Sequence, residues 1–502
     1  MNNLKIGWAE VSLIPEGRKY DLAGQFYERI TDEVESIITA TSMAVECGGE
    51  VAIFTSCDLC TVGSKLVSRV RERLTDTMDF PLDKLIISAT HVHTGPDYKN
   101  RSDNSIGGTS SMDVLEKLLP EITYETLVSY DDENLMDSEE CFEFLSERIA
   151  ESARLAWERR TDALYATGFG RAAVGMCRRV CYDDGSAKMW GDTEHANFEE
   201  LEAGNDSGIE MLFTYSPDKK LTGVIANVAC PAQVLEHRSI ISADYWGKLK
   251  SLLRETYGQE LFLLPFCSAA GDQCPRDMVR WVQPESPIND PNIIRENPTP
   301  RDADPSMFDL SGAHRIARRV YHEICYAIDE VSTWQNDPIF KHTATKLDIP
   351  VRRVTIAEYE SALAAIEEFR KQSTGTMNFA DNARMYVHAG TVERYLAQQT
   401  VDVKTIEVHF LRLGEIAFAT NPYELFVNYG NKIRARSPAK QTFLIQLACG
   451  ACGYLPTQKA EAGSHYSAYV SSGTAGHEGG DLLVRKTLSE LRTLWNVEGE
   501  TK

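Results

Sequence analysis

His91 and His93 stand two apart in Ser88-Ala-Thr-His-Val-His-Thr-Gly-Pro-Asp97. The run before them, Leu85 to Thr90, reads as a buried strand. Side chains alternate faces along a strand, so the two imidazoles point the same way. A His-x-His pair at a strand end can give one or two nitrogens to a metal ion. It can also be two ordinary polar residues at the mouth of a loop. Gly95-Pro96 stops the strand, and sites gather on the loop that follows one.

Four other segments carry chemistry. The stretch 227–247, "NVACPAQVLEHRSIISADYWG", holds His237 beyond a strand and Asp244 near the start of the next helix. Asp244 reads equally as a first-turn acid that complements the helix dipole. The stretch 267–277, "CSAAGDQCPRD", ends a strand in small residues, then turns at Gly271-Asp272. There Cys274 lies close to Arg276, which could lower a thiol's pKa, although a lone cysteine is more often a small buried hydrophobe. In "NPYELFVNYG" (421–430), Glu424 projects just past a strand. In "ACGACGYLPTQKAEAGSHYSAYV" (448–470), Tyr454 and Tyr466 follow small residues that let backbone approach a ligand closely. Arg178 in "GMCRRVC" reads as an anion contact or as one half of a surface pair. Cys57-Asp-Leu-Cys60 is a C-x-x-C that closes an apolar strand, and is expected to be structural.

Short apolar runs and amphipathic patterns alternate along the chain and must position these residues. The runs 84–91, 221–230, 260–267, 415–420 and 442–449 read as strands. The stretches 61–78, 139–160, 311–331, 355–373, 383–399 and 481–496 read as helices. This order predicts an α/β fold, with mixed β-sheets flanked by helices. The expected organisation is one large catalytic domain over 1–502. A polar excursion is expected near 99–140, a proline-rich surface loop over 282–308 and a helical insertion near 350–400.

The 502 residues carry a net charge of −22. That balance argues against a nucleic-acid partner and against an anionic membrane surface. No run of about 18 apolar residues and no signal peptide is legible, so no membrane insertion and a cytoplasmic location with reduced thiols are expected. The expected partners are a small-molecule substrate and, as an option the sequence leaves open, further copies of the chain.

Taken in order, the segments resemble the N-terminal catalytic domain of the neutral/alkaline non-lysosomal ceramidase family. "KIGWAEVSLIP", "SATHVHTGPD", "MCRRV", "ISADYWG", "AAGDQCPR", "NPYELF" and "CGYLPT" match that family's segments in the same sequence. The resemblance implies a zinc-dependent amidase. It implies that His91, Glu424 and Tyr454 bind Zn²⁺, and that His93, Arg178 and Tyr466 face the substrate. Where the family has a second zinc histidine this chain has Pro231, so the ligand role passes to His237. Where the family has a serine this chain has Cys274, a candidate nucleophile. Asp244 and Asp272 are expected to orient a histidine. Without a C-terminal sandwich domain, the expected substrate is a small polar amide. Glycoside or ester hydrolysis on the same fold, and a non-catalytic binding protein, are the alternatives.

Overall fold

The computed structural model describes residues 3–25, 27–98, 105–124, 134–279, 309–373 and 375–497. The proline-rich stretch 282–308 lies outside the described residues, as do 99–104 and 125–133 of the polar excursion.

Three sheets form from the apolar runs. The first has the order Leu85–Ala89, Glu50–Cys57, Thr39–Cys47, Lys5–Ser12, Thr161–Asp162. The second runs Phe262–Cys267, Leu221–Val228, Gly208–Tyr215, Leu164–Arg171. The third runs Phe340–Pro350, Val403–Leu413, Ile416–Thr420, Gln441–Ile445. The fold is α/β, as the alternation of patterns predicts. Helices Ser64–Leu74 and Ser138–Glu158 pack beside the first sheet, Asp244–Tyr257 and Asp309–Asp329 beside the second, and His477–Trp495 beside the third. One aromatic from each sheet meets at a shared core. Phe54 lies 6.0 Å from Phe266 and 5.0 Å from Phe418, ring centroid to centroid. Such pairs add specific geometry to the area they bury.

Each sheet contains one parallel pair among mostly antiparallel neighbours. Glu50–Cys57 pairs with Leu85–Ala89, Leu221–Val228 with Phe262–Cys267, and Ile416–Thr420 with Gln441–Ile445. A parallel pair sends both strands out at the same end, and ligand sites collect outside those carboxyl ends. Asn227 links two of the sheets by donating from Nδ2 to Leu444 O and accepting from Leu444 N. The loops after the three pairs bring together His91, Glu236, Asp272, Glu424 and Tyr454.

Within its described part, the polar excursion packs on the helical insertion. Helix Ser111–Leu118 starts at a Ser110 capping box and lies against Phe379–Ala397. Leu115, Phe369, Met377 and Met385 share an apolar cluster there, and Thr123–Tyr124 pairs in parallel with Thr376–Met377. These two departures from the core therefore form one helical layer.

Candidate active site

His91 follows the strand Leu85–Ala89 and holds a left-handed backbone, φ 61°. That conformation is uncommon for a non-glycine residue and collects at functional sites. Its Nδ1 lies 2.8 Å from the Cys60 carbonyl oxygen. A carbonyl only accepts, so Nδ1 carries a proton and Nε2 is the nitrogen left to face the site. That Nε2 stands 3.3 Å from Glu424 Oε2 and 3.4 Å from His93 Nε2.

His93 is oriented by a carboxylate. Its Nδ1 lies 3.2 Å from Glu236 Oε2, a charge contact that holds the ring toward His91. Glu236 also accepts from Arg276 Nη2 at 3.1 Å and from Gln233 Nε2 at 3.3 Å. Burial works against its charge, but His93 and Arg276 hold its carboxyl at about 2. Arg29, itself buried, clamps the backbone. It donates from Nη1 to the carbonyl of Glu236 and from Nη2 to the carbonyl of His93, both at 2.6 Å. Gly24, at φ +97°, leaves room for the ring, since a Cβ there would stand 2.4 Å from His93 Cγ.

The other side comes from the third sheet. A short parallel pair places Glu424 opposite Tyr454. Tyr454 meets Tyr466 edge to face at 5.5 Å. Burial and the Glu424 carboxylate raise the Tyr454 hydroxyl well above its ordinary pKa, and bring that of Tyr466 to about 12. Both stay protonated and able to donate. Arg178 donates from Nη2 to the Gly271 carbonyl at 3.1 Å and to Tyr454 Oη at 3.4 Å. Burial opposes its charge, but Tyr454, Cys274 and Glu424 raise its pKa, so it is a fixed cation in the site.

The two aspartates act on backbone. Asp244 accepts from Leu235 N at 2.8 Å and from Tyr245 N at 2.7 Å, bracing the turn that carries Glu236. Asp272 accepts from Val427 N at 2.8 Å, bracing the segment after Glu424. Burial raises each carboxyl to about 6. Among the described residues neither makes a hydrogen bond or ion pair to a histidine ring, and the groups that contact the two rings are Glu236 and the Cys60 carbonyl.

His237 does not join the cluster. The turn points Glu236 inward and sends His237 Nε2 to within 4.0 Å of Asp309 Oδ1. Among the described residues, no set of three ligand atoms within 4.8 Å of one another includes it. Burial and Arg276 lower its pKa to about 4. Cys274 is also placed differently from a nucleophile. It is fully buried, its Sγ lies 3.3 Å from the Arg276 carbonyl, and burial pushes the thiol up to about 12 against the opposing pull of Arg178. Cys60, expected to be structural, and Glu236, not singled out in the sequence, both lie beside the histidines. The Cys60 Sγ lies 3.8 Å from His91 Nδ1, and Cys60, His91 and His93 form a set of ligand atoms within 4.8 Å. The signal was present: Cys60 lies just past the strand that pairs in parallel with the one before His91.

The donor set suits a cation. His91 Nε2 is within reach of both His93 Nε2 and Glu424 Oε2, and against its burial the neighbouring Cys60 and Glu424 raise the His91 pKa well above its ordinary value, so a cation, a proton or a metal ion, is favoured there. Two donors about 2.0–2.1 Å from one tetrahedral ion stand roughly 3.3–3.4 Å apart. Both measured separations from His91 Nε2 match. Beside Glu424, Tyr454 and Tyr466 opens a cavity of about 440 Å³. The helical layer roofs it with Ser110, Ser111, Asn382 and Arg394, and its lining is largely polar.

No family model and no curated protein matches the chain. Among solved structures it is similar to the neutral ceramidase of Pseudomonas aeruginosa, with a TM-score of 0.66 at 15% identity. That alignment covers 100% of this chain and 76% of the other. A ceramidase complexed with C2 aligns with a TM-score of 0.66 at 13% identity, over 100% of this chain and 77% of that one. At these identities the likeness is one of fold.

Proposed function

We propose that this chain, whose fold is that of the neutral ceramidases, is a zinc-dependent hydrolase that cleaves the amide bond of a small polar substrate. The observation that carries the reading is that His91 Nε2 stands 3.4 Å from His93 Nε2 and 3.3 Å from Glu424 Oε2, beside a cavity that Glu424 helps to line. In it, His93 takes the ligand place that the sequence offered to His237. A bound divalent ion would polarise the substrate carbonyl and lower the pKa of a coordinated water toward about 7.

The protein's own groups do the rest. Arg178 and the Tyr454 and Tyr466 hydroxyls donate toward the oxygen on which negative charge develops. Their donors are fixed before reaction, because burial holds both tyrosines protonated and Arg178 charged. Glu236 keeps the proton of His93 on Nδ1, so that Nε2 stays a donor to the ion. Asp244 and Asp272 hold the two backbone segments in register.

The cavity argues for the substrate's size and polarity. Its volume of about 440 Å³ falls at the small end of ligand pockets. Serine, asparagine and arginine in the lining favour a hydroxylated or charged group over long acyl chains. The same lining supports a second reading, cleavage of a glycoside or ester. Elemental analysis of protein purified without added metal tests the metal. Absence of stoichiometric zinc or another transition metal, with activity unchanged by chelation, would reject the reading. A panel of N-acyl amino sugars, N-acyl amino acids and aryl glycosides tests the bond, and turnover of glycosides alone would reject the amidase.

A further inference from the structure

We propose that Cys60 is a direct ligand of the same ion, so that a thiolate joins His91 and His93 in holding it, with Glu424 reaching the ion beside His91. The inference rests on the metal reading above and adds to it the identity of one donor.

Topology brings the residue there. Cys57 and Ala89 are register partners in the parallel pair of the first sheet. Cys60 lies three residues past one strand and His91 two past the other, so both emerge at the same edge. Cys57 stays in the apolar core, and the C-x-x-C therefore splits into one packing residue and one site residue. Cys60 engages His91 twice. Its carbonyl accepts the Nδ1 proton at 2.8 Å, which fixes the tautomer, and its Sγ stands 3.8 Å from the same ring.

The imidazoles supply the second observation. Both are at least nine-tenths buried, and their Nε2 atoms stand 3.4 Å apart. The ligand atoms of Cys60, His91 and His93 lie within 4.8 Å of one another. Sulfur and nitrogen on one tetrahedral zinc stand roughly 3.6 Å apart, so the set, bounded at 4.8 Å, needs only a modest contraction to hold an ion.

Charge points the same way. Two neutral imidazoles and Glu424 leave a divalent ion with one uncompensated positive charge, next to the buried Arg178 cation. Buried charges require compensation. A Cys60 thiolate brings the ion and its ligands to neutrality. A sulfur donor also selects a borderline ion such as zinc or cobalt over magnesium or calcium, which take oxygen ligands.

The test uses the full chain, stripped of metal and reloaded with cobalt(II). The wild type is expected to show an intense sulfur-to-cobalt charge-transfer band in the near ultraviolet. Cys60→Ser is expected to lose the band and to bind zinc at least about 100-fold more weakly, the upper end of what a change behind a ligand does. X-ray absorption of the zinc-loaded wild type needs no variant to fold, and is expected to show one sulfur at about 2.3 Å. Stoichiometric cobalt without the band, or zinc surrounded only by nitrogen and oxygen, would overturn the Cys60 assignment while leaving the metal reading in place. No stoichiometric uptake of either ion would overturn both.

Discussion

Glu236→Gln removes a charge while keeping the shape of the side chain. The carboxylate is 4% exposed, and its partner Arg276 is fully buried. Arg276 also lies over the Trp190 ring at 4.7 Å, an apolar face that does not replace an anion. Breaking a buried pair by removing one partner costs about 3–5 kcal/mol, because the other charge is left without compensation. The carboxyl's pKa gives an independent figure. It is held at about 2. The ordinary glutamate value is about 4.3, and roughly two units correspond to roughly 3 kcal/mol. Because the folded pKa is depressed, this stabilisation is fully present above about pH 4.3 and is lost as pH falls through about 2. Equilibrium urea unfolding followed by tryptophan fluorescence should place the variant about 3–5 kcal/mol below the wild type at neutral pH. The variant should also lack this part of the wild type's loss of stability toward pH 2. Adding Arg276→Met should recover at least half of the deficit, since no buried charge then remains alone. A Glu236→Gln loss under about 1 kcal/mol, or a double variant less stable than the single one, would refute the reasoning.

Chelation, His91→Ala and Glu424→Gln are each expected to lower kcat at least about 10³-fold in an amidase assay, because an effect of the ion worth several kcal/mol disappears with it. Cys274→Ala should keep kcat within about twofold, since a buried thiol raised to about 12 supplies no nucleophile at neutral pH. A loss of more than tenfold would restore Cys274 to the chemistry. Asp272 has the opposite linkage to Glu236. Burial raises its carboxyl to about 6, so its favourable neutral form is fully present below about pH 3.9 and its contribution is lost as pH rises through 6. Asp272→Asn keeps an acceptor for Val427 N, and thermal midpoints from about pH 4 to 7 should fall less steeply for it than for the wild type. Gly24→Ala would drive a methyl into the His93 ring from a left-handed backbone, and kcat should drop at least tenfold while the circular dichroism spectrum is kept.

The sheets were legible because their strands are short apolar runs that end in turn residues. Helix Ser138–Glu158 was legible because Asp137 and Glu140 build a capping box ahead of an apolar stripe. His91 and Glu424 stood out because each follows a strand by only a few residues, and Tyr454 through the resemblance of its segment to the ceramidase family. The rest of the site depends on which way a turn faces. Glu236 and His237 are neighbours with equal claims on chemistry, and only the Asp244 brace and the Arg29 clamp decide that the acid points inward. Cys60 lies beside the two histidines and Cys274 is buried away from solvent, the opposite of the exposure their sequence contexts suggested, for a similar reason. A thiol's reactivity is set by the cations and apolar groups around it, and those come from strands distant in sequence. The joint helical layer was hidden because an excursion and an insertion far apart in the chain show no sign of pairing until both are folded.

The meeting of three parallel pairs has a consequence for how the protein acquires its activity. Loop closure over hundreds of residues has to precede any contact between His91, Glu236 and Glu424, and such non-local contacts form slowly. A chain with only its first sheet in place holds Cys60 and the two histidines but neither carboxylate. Metal uptake and turnover should therefore lag the recovery of secondary structure during refolding, and tight binding should mark the docking of the last sheet.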